Sequence, residues 1–410
     1  MNTNELKKLD RRHVVYSWKA QGQVDPIVID RAEGIYLWDL DGKSLINCHC
    51  NGGVFNLGHR NPRVVNALQT ALLELDIGNH HFISEARARL ASRLVSLSPG
   101  DINRVIFGVS GGEAIDMAIK LARAHTGKAK IISALGGYHG HTGLALAAGD
   151  AQYRDPFGPF APVFVQVPFG DLDALAGALD DDTAAVIFET IPATFGIAIP
   201  PENFFGGVRE LCDQAGAVMI IDEVQTGLGR CGEIWGIDTY SVVPDILVTG
   251  KGLSGGIYPI TATLYREPLN AFMHEHPFIH ISTFGGAEVG CYVALEVLDI
   301  LQEQGFLENV RAMAEVFADG FVQLKTKYPG LLVETRQRGL MMGLKLADPR
   351  LGPLFTKMGF EVGLLAIYAN NDPAVVQLLP PLIIRQAQVL QVLQMIDSIL
   401  HEIQVRLPPM

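Results

Sequence analysis

The chain has 410 residues, of which 48% are hydrophobic, 19% charged and 8% aromatic. That apolar content excludes a disordered protein, and the length predicts two domains or one large domain with appendages. With 32 Lys and Arg against 44 Asp and Glu the formal charge is −12, which disfavours nucleic acid, whose phosphates are bound by Lys and Arg displacing counterions.

The N-terminus is polar, with Asn2, Glu5, Lys7, Lys8, Asp10 and Arg11, and has no apolar core of signal-peptide type. No uncharged apolar run approaches the roughly 20 residues that span a bilayer, so a cytoplasmic, membrane-free protein is expected. Residues 1–55 read as a segment packing against two domains. Within it Gly34–Gly42 reads as a hairpin with Asp41-Gly42 as its turn. The sequence Cys48-His49-Cys50 lacks a second Cys or His pair at zinc-finger spacing. With Cys212, Cys231 and Cys291 the cysteines number five, an odd count that argues against a disulfide framework. They are read as packing residues in a reducing compartment, with no metal.

From residue 56 to 290 short apolar runs alternate with helical patterns. Ile102–Gly108 reads as strand and Glu113–His125 as helix. Ala129–Ala134, Ala184–Glu189, Ala217–Asp222 and Pro244–Thr249 are further strand-sized runs. Runs apolar on both faces and separated by helices predict a mainly parallel sheet between helical layers, a three-layer α/β domain. Residues 291–410 read as a smaller C-terminal α/β domain. Val289–Leu324 is mostly helical, Leu331–Leu346 is strand-like, and a helix and a strand around Val375–Leu379 follow. The chain closes with an amphipathic helix carrying Val389, Leu390, Val392, Leu393, Ile396, Ile399, Leu400 and Ile403 at helical spacing.

Ligands of α/β sheets bind beyond the carboxyl ends of the strands, so the segments just after the strands hold the candidate chemistry. Ser110-Gly111-Gly112 opens a helix after Ile102–Gly108, and backbone N–H groups at the positive end of a helix dipole cradle phosphate. Tyr138 stands between glycines after Ala129–Ala134, suited to stack on a planar ligand. Asp222 ends a wholly apolar strand, where a carboxylate is costly without a cation or hydrogen-bond donors. Lys251 lies among Gly250, Gly252, Gly255 and Gly256, small neighbours that admit something bulky. A lysine for a Schiff base, an anion site, an aromatic plate and an acid together suit pyridoxal 5′-phosphate.

The motifs AEGIYLWDLDGKSLIN, FNLGHRNPRV, SGGEAIDMAIKLAR, YHGHT, IIDEVQTGLGRCG, GKGLSGGIYPI, STFGGAE, RGLMMGLKL and LLPPLII occur in this order over nearly the whole chain. The ordered set resembles the class III pyridoxal-phosphate aminotransferases of fold type I, the group of ornithine, 4-aminobutyrate and ω-amine aminotransferases. The resemblance implies a homodimer with active sites at the interface. It makes Lys251 the Schiff-base lysine and proton shuttle, and pairs Asp222 with the pyridine nitrogen. Val224 then packs beneath the ring, Tyr138 stacks on its other face, and Gln225 reaches the phenolic oxygen. Gly111 and Gly112, with Ser110, bind the phosphate, and Thr283 reaches the phosphate of the neighbouring subunit. Glu189 matches a family glutamate near the cofactor, and His139 is read as structural.

The sequence departs from the family where carboxylates are usually held. The arginine after the aromatic-x-Gly unit is His141, and the arginine before the PPL stretch is Gln377. The glutamate that usually holds that second arginine aside is Thr194, and the mobile arginine of the ω-amine group corresponds to Ile367 or Tyr368. Neither Gln nor neutral His replaces a bidentate arginine. These positions predict an amine or unusual amino acid as donor and a 2-oxo acid, pyruvate rather than 2-oxoglutarate, as acceptor. The alternative for the carboxylate is relocation of its contact to Arg154, Arg230 or Arg385. The alternative function is a racemase, epimerase or phospho-lyase on the same scaffold, with a non-catalytic cofactor-binding protein ranked behind it.

Overall fold

The computed structural model describes residues 1–14, 27–78, 81–160 and 163–406. Residues 15–26 of the N-terminal segment lie outside them. The strands in chain order are β1 (Ile29–Glu33), β2 (Tyr36–Asp39), β3 (Ser44–Asn47), β4 (Ile102–Gly108), β5 (Lys130–Ala134), β6 (Phe164–Val167), β7 (Thr183–Glu189) and β8 (Val218–Asp222). They continue with β9 (Ile246–Thr249), β10 (Thr261–Arg266), β11 (Leu332–Arg338), β12 (Met341–Leu346), β13 (Leu364–Leu365), β14 (Ile367–Tyr368) and β15 (Val375–Leu378).

Seven strands form the large sheet in the order β4-β10-β9-β8-β7-β5-β6. β5, β6, β7, β8 and β9 run parallel, and β10 is antiparallel to both β4 and β9. Side chains alternate between the faces of a strand, and here both faces are covered. Ala185 and Ile187 of β7, with Ile220 of β8, pack with Ile115, Ala118 and Ala122 of helix Gly111–Thr126. Val186 and Phe188, with Met219 and Ile221, belong to the opposite layer, with Phe204, Phe205 and Val208 of helix Phe204–Ala215. Every residue of β7 and β8 is buried, which explains their unbroken apolar character. Emptying one such site, as in Ile187→Ala, costs about 2–5 kcal/mol.

The strands β6 and β10 are absent from the expectations. β10 reads TATLYR, and its threonines are buried because their hydroxyls are satisfied: Thr261 Oγ1 donates to Ser110 O at 3.3 Å and Thr263 Oγ1 to Ala114 O at 2.9 Å. These bonds tie the sheet to the first turn of helix Gly111–Thr126.

The C-terminal part builds the antiparallel sheet β11-β12-β15-β14. Helices Phe306–Lys327, Leu351–Val362 and Gln386–Arg406 pack around it. The strand-like stretch 331–346 is a hairpin rather than one strand. The domain boundary expected between residues 290 and 291 falls inside helix Glu288–Leu301. That helix packs on Pro62–Ala71 and Glu85–Leu97. A third sheet, β1-β2-β3-β13, combines the N-terminal hairpin with a late strand. Leu364 pairs with Ile46 and Leu365 with Asn47 in parallel. No helix among the described residues is long and apolar enough to cross a membrane. All five cysteines are buried and unpaired.

Candidate active site

Five strands of the large sheet point their carboxyl ends at one cavity of about 310 Å³. β4 leads to Ser110, Gly111 and Gly112, and β5 to Tyr138, His139 and His141. β7 ends on Glu189, β8 on Asp222 followed by Val224 and Gln225, and β9 leads to Lys251. A second hollow of about 290 Å³ shares Ser110, Gly111 and Lys251 and continues past Tyr258 and Thr261.

Asp222 is 5% exposed. Its Oδ1 accepts the Val224 N–H at 3.0 Å, and its Oδ2 meets His139 Nδ1 at 2.9 Å. An ionised carboxylate only accepts, so His139 donates from Nδ1. Burial works to lower the His139 pKa, but the hydrogen bond and charge of Asp222, with Glu189 adding, carry it above the ordinary value. His139 Nε2 is buried without a partner. Glu189 lies beside Asp222 in register on the neighbouring strand, and its Oε1 accepts the Tyr138 N–H at 2.9 Å. Burial lifts the Glu189 carboxyl to about 7. His139 and Glu189 thus bracket the acid from two sides, a role for His139 that the sequence reading leaves as structural.

Lys251 is the first residue after Gly250 and adopts a left-handed φ of 40°. Its Nζ donates to Gln225 Oε1 at 2.7 Å, a neutral partner rather than a carboxylate. Burial lowers its proton affinity, against the opposing charges of Asp222 and Glu189. Gly52 of the N-terminal segment borders the amine. A Cβ there would sit 3.3 Å from Lys251 Nζ and 3.5 Å from Gln225 Oε1. His49 stands close by, its pKa lowered to about 4 by burial first and then by the Lys251 charge, and it stays neutral at physiological pH.

The residues fit a phosphorylated pyridine cofactor. Ser110 caps helix Gly111–Thr126, its Oγ accepting the Glu113 N–H at 3.2 Å. The first N–H groups of a helix have no partner within it, which leaves those of Gly111 and Gly112 for an anion. The cradle has no room for a side chain: a Cβ on Gly112 would lie 2.6 Å from Thr142 Oγ1. Below Gln225 the carboxylate of Glu223 is 1% exposed. It accepts from Thr226 Oγ1 at 3.0 Å, from the Gly236 and Ile237 N–H groups at 2.8 Å each, and from the Thr190 hydroxyl. Burial raises it to about 7 while these four bonds pull it down.

Of the substrate candidates, His141 lines the cavity, whereas Thr194 and Gln377 do not. Thr194 is half-buried, with Oγ1 3.5 Å from Gly136 O, and Gln377 is 6% exposed on β15. Thr283 is exposed and does not line its own protomer's cavity. None of the three alternative arginines lines it either. Arg230 is fully buried and spends its guanidinium on Leu340 O, Pro380 O and Asn56 Oδ1. Arg154 pairs with Asp155, and Arg385 is exposed before the last helix. Sequence reasoning also misses Tyr153, whose ring meets Tyr138 at 5.8 Å and His141 at 5.4 Å, both edge-on.

Residues 18–400 match the model of the family described as Aminotransferase class-III. The chain is 61% identical over 359 residues to an uncharacterized aminotransferase of Archaeoglobus fulgidus, covering 88% of this chain and 84% of the relative. Among solved structures it is similar to the ornithine aminotransferase of Toxoplasma gondii, with a TM-score of 0.92, 27% identity, and 99% and 97% of the two chains covered. It is also similar to the taurine:2-oxoglutarate aminotransferase of Bifidobacterium kashiwanohense, solved with PLP and glutamate. There the TM-score is 0.90 and identity 26%, with 98% of each chain covered.

Proposed function

The chain belongs to the class III aminotransferases, a family that works with pyridoxal 5′-phosphate, and from that premise we propose that it moves an amino group from an amine or unusual amino acid to pyruvate or a similar small 2-oxo acid. When bound, the cofactor supplies an aldehyde that condenses with amines and a protonated ring that accepts the electron pair released at the substrate carbon.

Lys251 Nζ would hold that aldehyde and would serve as the base at the substrate carbon. Its lowered proton affinity in the buried site suits that work. Asp222 would sit against the pyridine nitrogen and favour its protonation, with His139 orienting the carboxylate. Gly111 and Gly112, with Ser110, would hold the phosphate, and Val224 and Tyr138 would cover the two faces of the ring. Gln225 would meet the phenolic oxygen, and Glu189 holds the backbone of Tyr138. The working unit is a homodimer in which Thr283 of each protomer completes the partner's phosphate site. Exposed Phe278, Ile279, Ile281 and Phe284 around it support that surface. Five unpaired cysteines suit a reducing, cytoplasmic setting.

The observation that carries the substrate reading is that no arginine among the described residues lines the cavity. The positions where the family carries its carboxylate-binding groups hold His141, Thr194 and Gln377, none of them a guanidinium, so they offer a carboxylate no bidentate clamp. The test is a half-reaction screen. Holoenzyme is mixed with primary amines, diamines, amino sugars and amino acids, and loss of the visible cofactor band is timed. Non-carboxylate amines should react at least as fast as glutamate, and pyruvate should restore the band better than 2-oxoglutarate. Glutamate and 2-oxoglutarate as the preferred pair would overturn the substrate assignment. Sustained inversion or elimination without any oxo acid would replace transamination by the racemase or lyase alternative. A Lys251→Ala variant that still retains cofactor after borohydride treatment would remove the lysine's role.

A further inference from the structure

Asn371 belongs to the small-domain loop between β14 and β15, yet its bonds all go to segments around the cavity. Its Nδ2 donates to Gly136 O at 2.7 Å, and its backbone N–H donates to Thr194 O at 2.9 Å. Its Oδ1 accepts from Tyr153 Oη at 3.3 Å and from Gln152 Nε2. One asparagine therefore ties the loop that carries Tyr138, the loop after β7 and the short helix Ala151–Arg154. Each of its amide atoms is used in the sense its chemistry dictates: the NH2 donates, the oxygen accepts.

The consequence lies two residues beyond Gly136. That glycine has φ of 75°, and a Cβ on it would come within 2.4 Å of Phe195 Cδ2. The loop is thus wedged between the Phe195 ring on one side and the Asn371 amide on the other. Tyr138 follows, with its N–H fixed on Glu189. Its ring is braced edge-on by His141 at 5.2 Å and Tyr153 at 5.8 Å, and Tyr153 meets His141 at 5.4 Å. Of these three rings only Tyr153 is anchored through its hydroxyl to the small domain.

We propose that Asn371 is a positioning residue: by anchoring Gly136 and the Tyr153 hydroxyl together it sets the plane of Tyr138, and so couples the placement of the small domain to the face on which the cofactor lies. This rests on the reading of Tyr138 as the stacking residue. Asn371 touches neither substrate nor cofactor and acts through the two tyrosines. A network of this kind is worth more than its separate bonds, and a double-mutant cycle measures the excess.

The experiment uses the full chain and titrates pyridoxal phosphate by quenching of intrinsic fluorescence and by visible circular dichroism. The proteins are wild type, N371A, N371D, Y153F and N371A/Y153F. Wild type must first bind the cofactor and give a dichroic band. If it does not, the proposed function fails before this inference is reached. Given that band, N371A should bind cofactor roughly five- to thirtyfold more weakly and lose band intensity. N371D keeps the acceptor for Tyr153 but places a carboxylate against Gly136 O, and should fall with N371A. Y153F should show a smaller loss, and the double variant should be no worse than N371A alone. With the best amine found, KM should rise more than kcat falls. Wild-type affinity and band in N371A, or full additivity of N371A with Y153F, would overturn the proposal. If N371A does not fold, an unchanged band and KM in Y153F would do the same.

Discussion

His139 Nδ1 and Asp222 Oδ2 lie 2.9 Å apart with both side chains withdrawn from water. Removing one member of such a pair leaves the other with its full desolvation cost. The Asp222→Ala variant should lose roughly 10²–10⁴-fold in kcat/KM for transamination. His139→Asn keeps a donor for the carboxylate but no charge, and should lose about tenfold. Steady-state kinetics of the two variants at saturating cofactor give the comparison, and an equal loss in both would contradict the orienting role of His139.

Gly52 is the third of four successive left-handed residues, Cys50 at φ 51°, Asn51 at 50°, Gly52 at 68° and Gly53 at 96°. Its bare backbone is the wall beside Lys251 Nζ. Gly52→Ala should cost about 1–2 kcal/mol of stability, because an L side chain is strained there. It should also slow the half-reaction on the order of tenfold, because the methyl group displaces the amine from its line of approach. Thermal melting and stopped-flow absorbance separate the two effects.

Glu223 accepts four hydrogen bonds, two on each oxygen. A glutamine would turn its NH2 group toward a backbone N–H, leaving buried donors face to face. Glu223→Gln should therefore destabilise the fold by about 2–3 kcal/mol, although it removes a buried charge. Chemical denaturation at neutral pH measures it, and a neutral or stabilising effect would show that the carboxyl is protonated in the native state.

Asn47 fixes the protonation state of His59. Its Oδ1 accepts the N–H groups of His49 and Cys50 at 3.1 and 2.8 Å, so its Nδ2 must face His59 Nε2 at 2.9 Å, and that nitrogen accepts. Protonation breaks the contact, and burial lowers the His59 pKa to about 4. The folded value lies below the unfolded value of about 6.5. The unfolded chain thus binds the proton first, and stability is lost as pH falls from about 6.5 toward 4. His59→Gln lacks this titration. The stability advantage of wild type over the variant should shrink by about 2 kcal/mol across that window, allowing for solvent screening. A pH-independent difference would refute it.

The large sheet was legible because β7 and β8 are apolar on both faces and end on carboxylates. β10 was not, because its threonines look solvent-facing until helix Gly111–Thr126 supplies the carbonyls that receive their hydroxyls. The same divide runs through the site. Lys251, Asp222 and Tyr138 stand out in the sequence as candidates because each ends or closely follows a strand and stands next to glycine or at the end of an apolar run. Tyr153 and Asn371 have no such local signature. Their meaning comes from a contact 218 residues apart in sequence. His139 stands next to Tyr138 in sequence, but only the sheet order, which places β7 alone between β5 and β8, brings it to Asp222.

The parallel pairing of β3 with β13 has a bearing on how the chain reaches this state. Ile46 N–H bonds to Gly363 O at 2.8 Å and Cys48 N–H to Leu365 O at 2.9 Å. During synthesis the strand leading into Cys48-His49-Cys50 must therefore wait, one edge bare, until more than 300 further residues have left the ribosome. The loop that places Gly52 beside the reactive amine is consequently among the last parts to acquire its full support, so nascent chains truncated before Gly363 should stay catalytically silent even with the large sheet assembled.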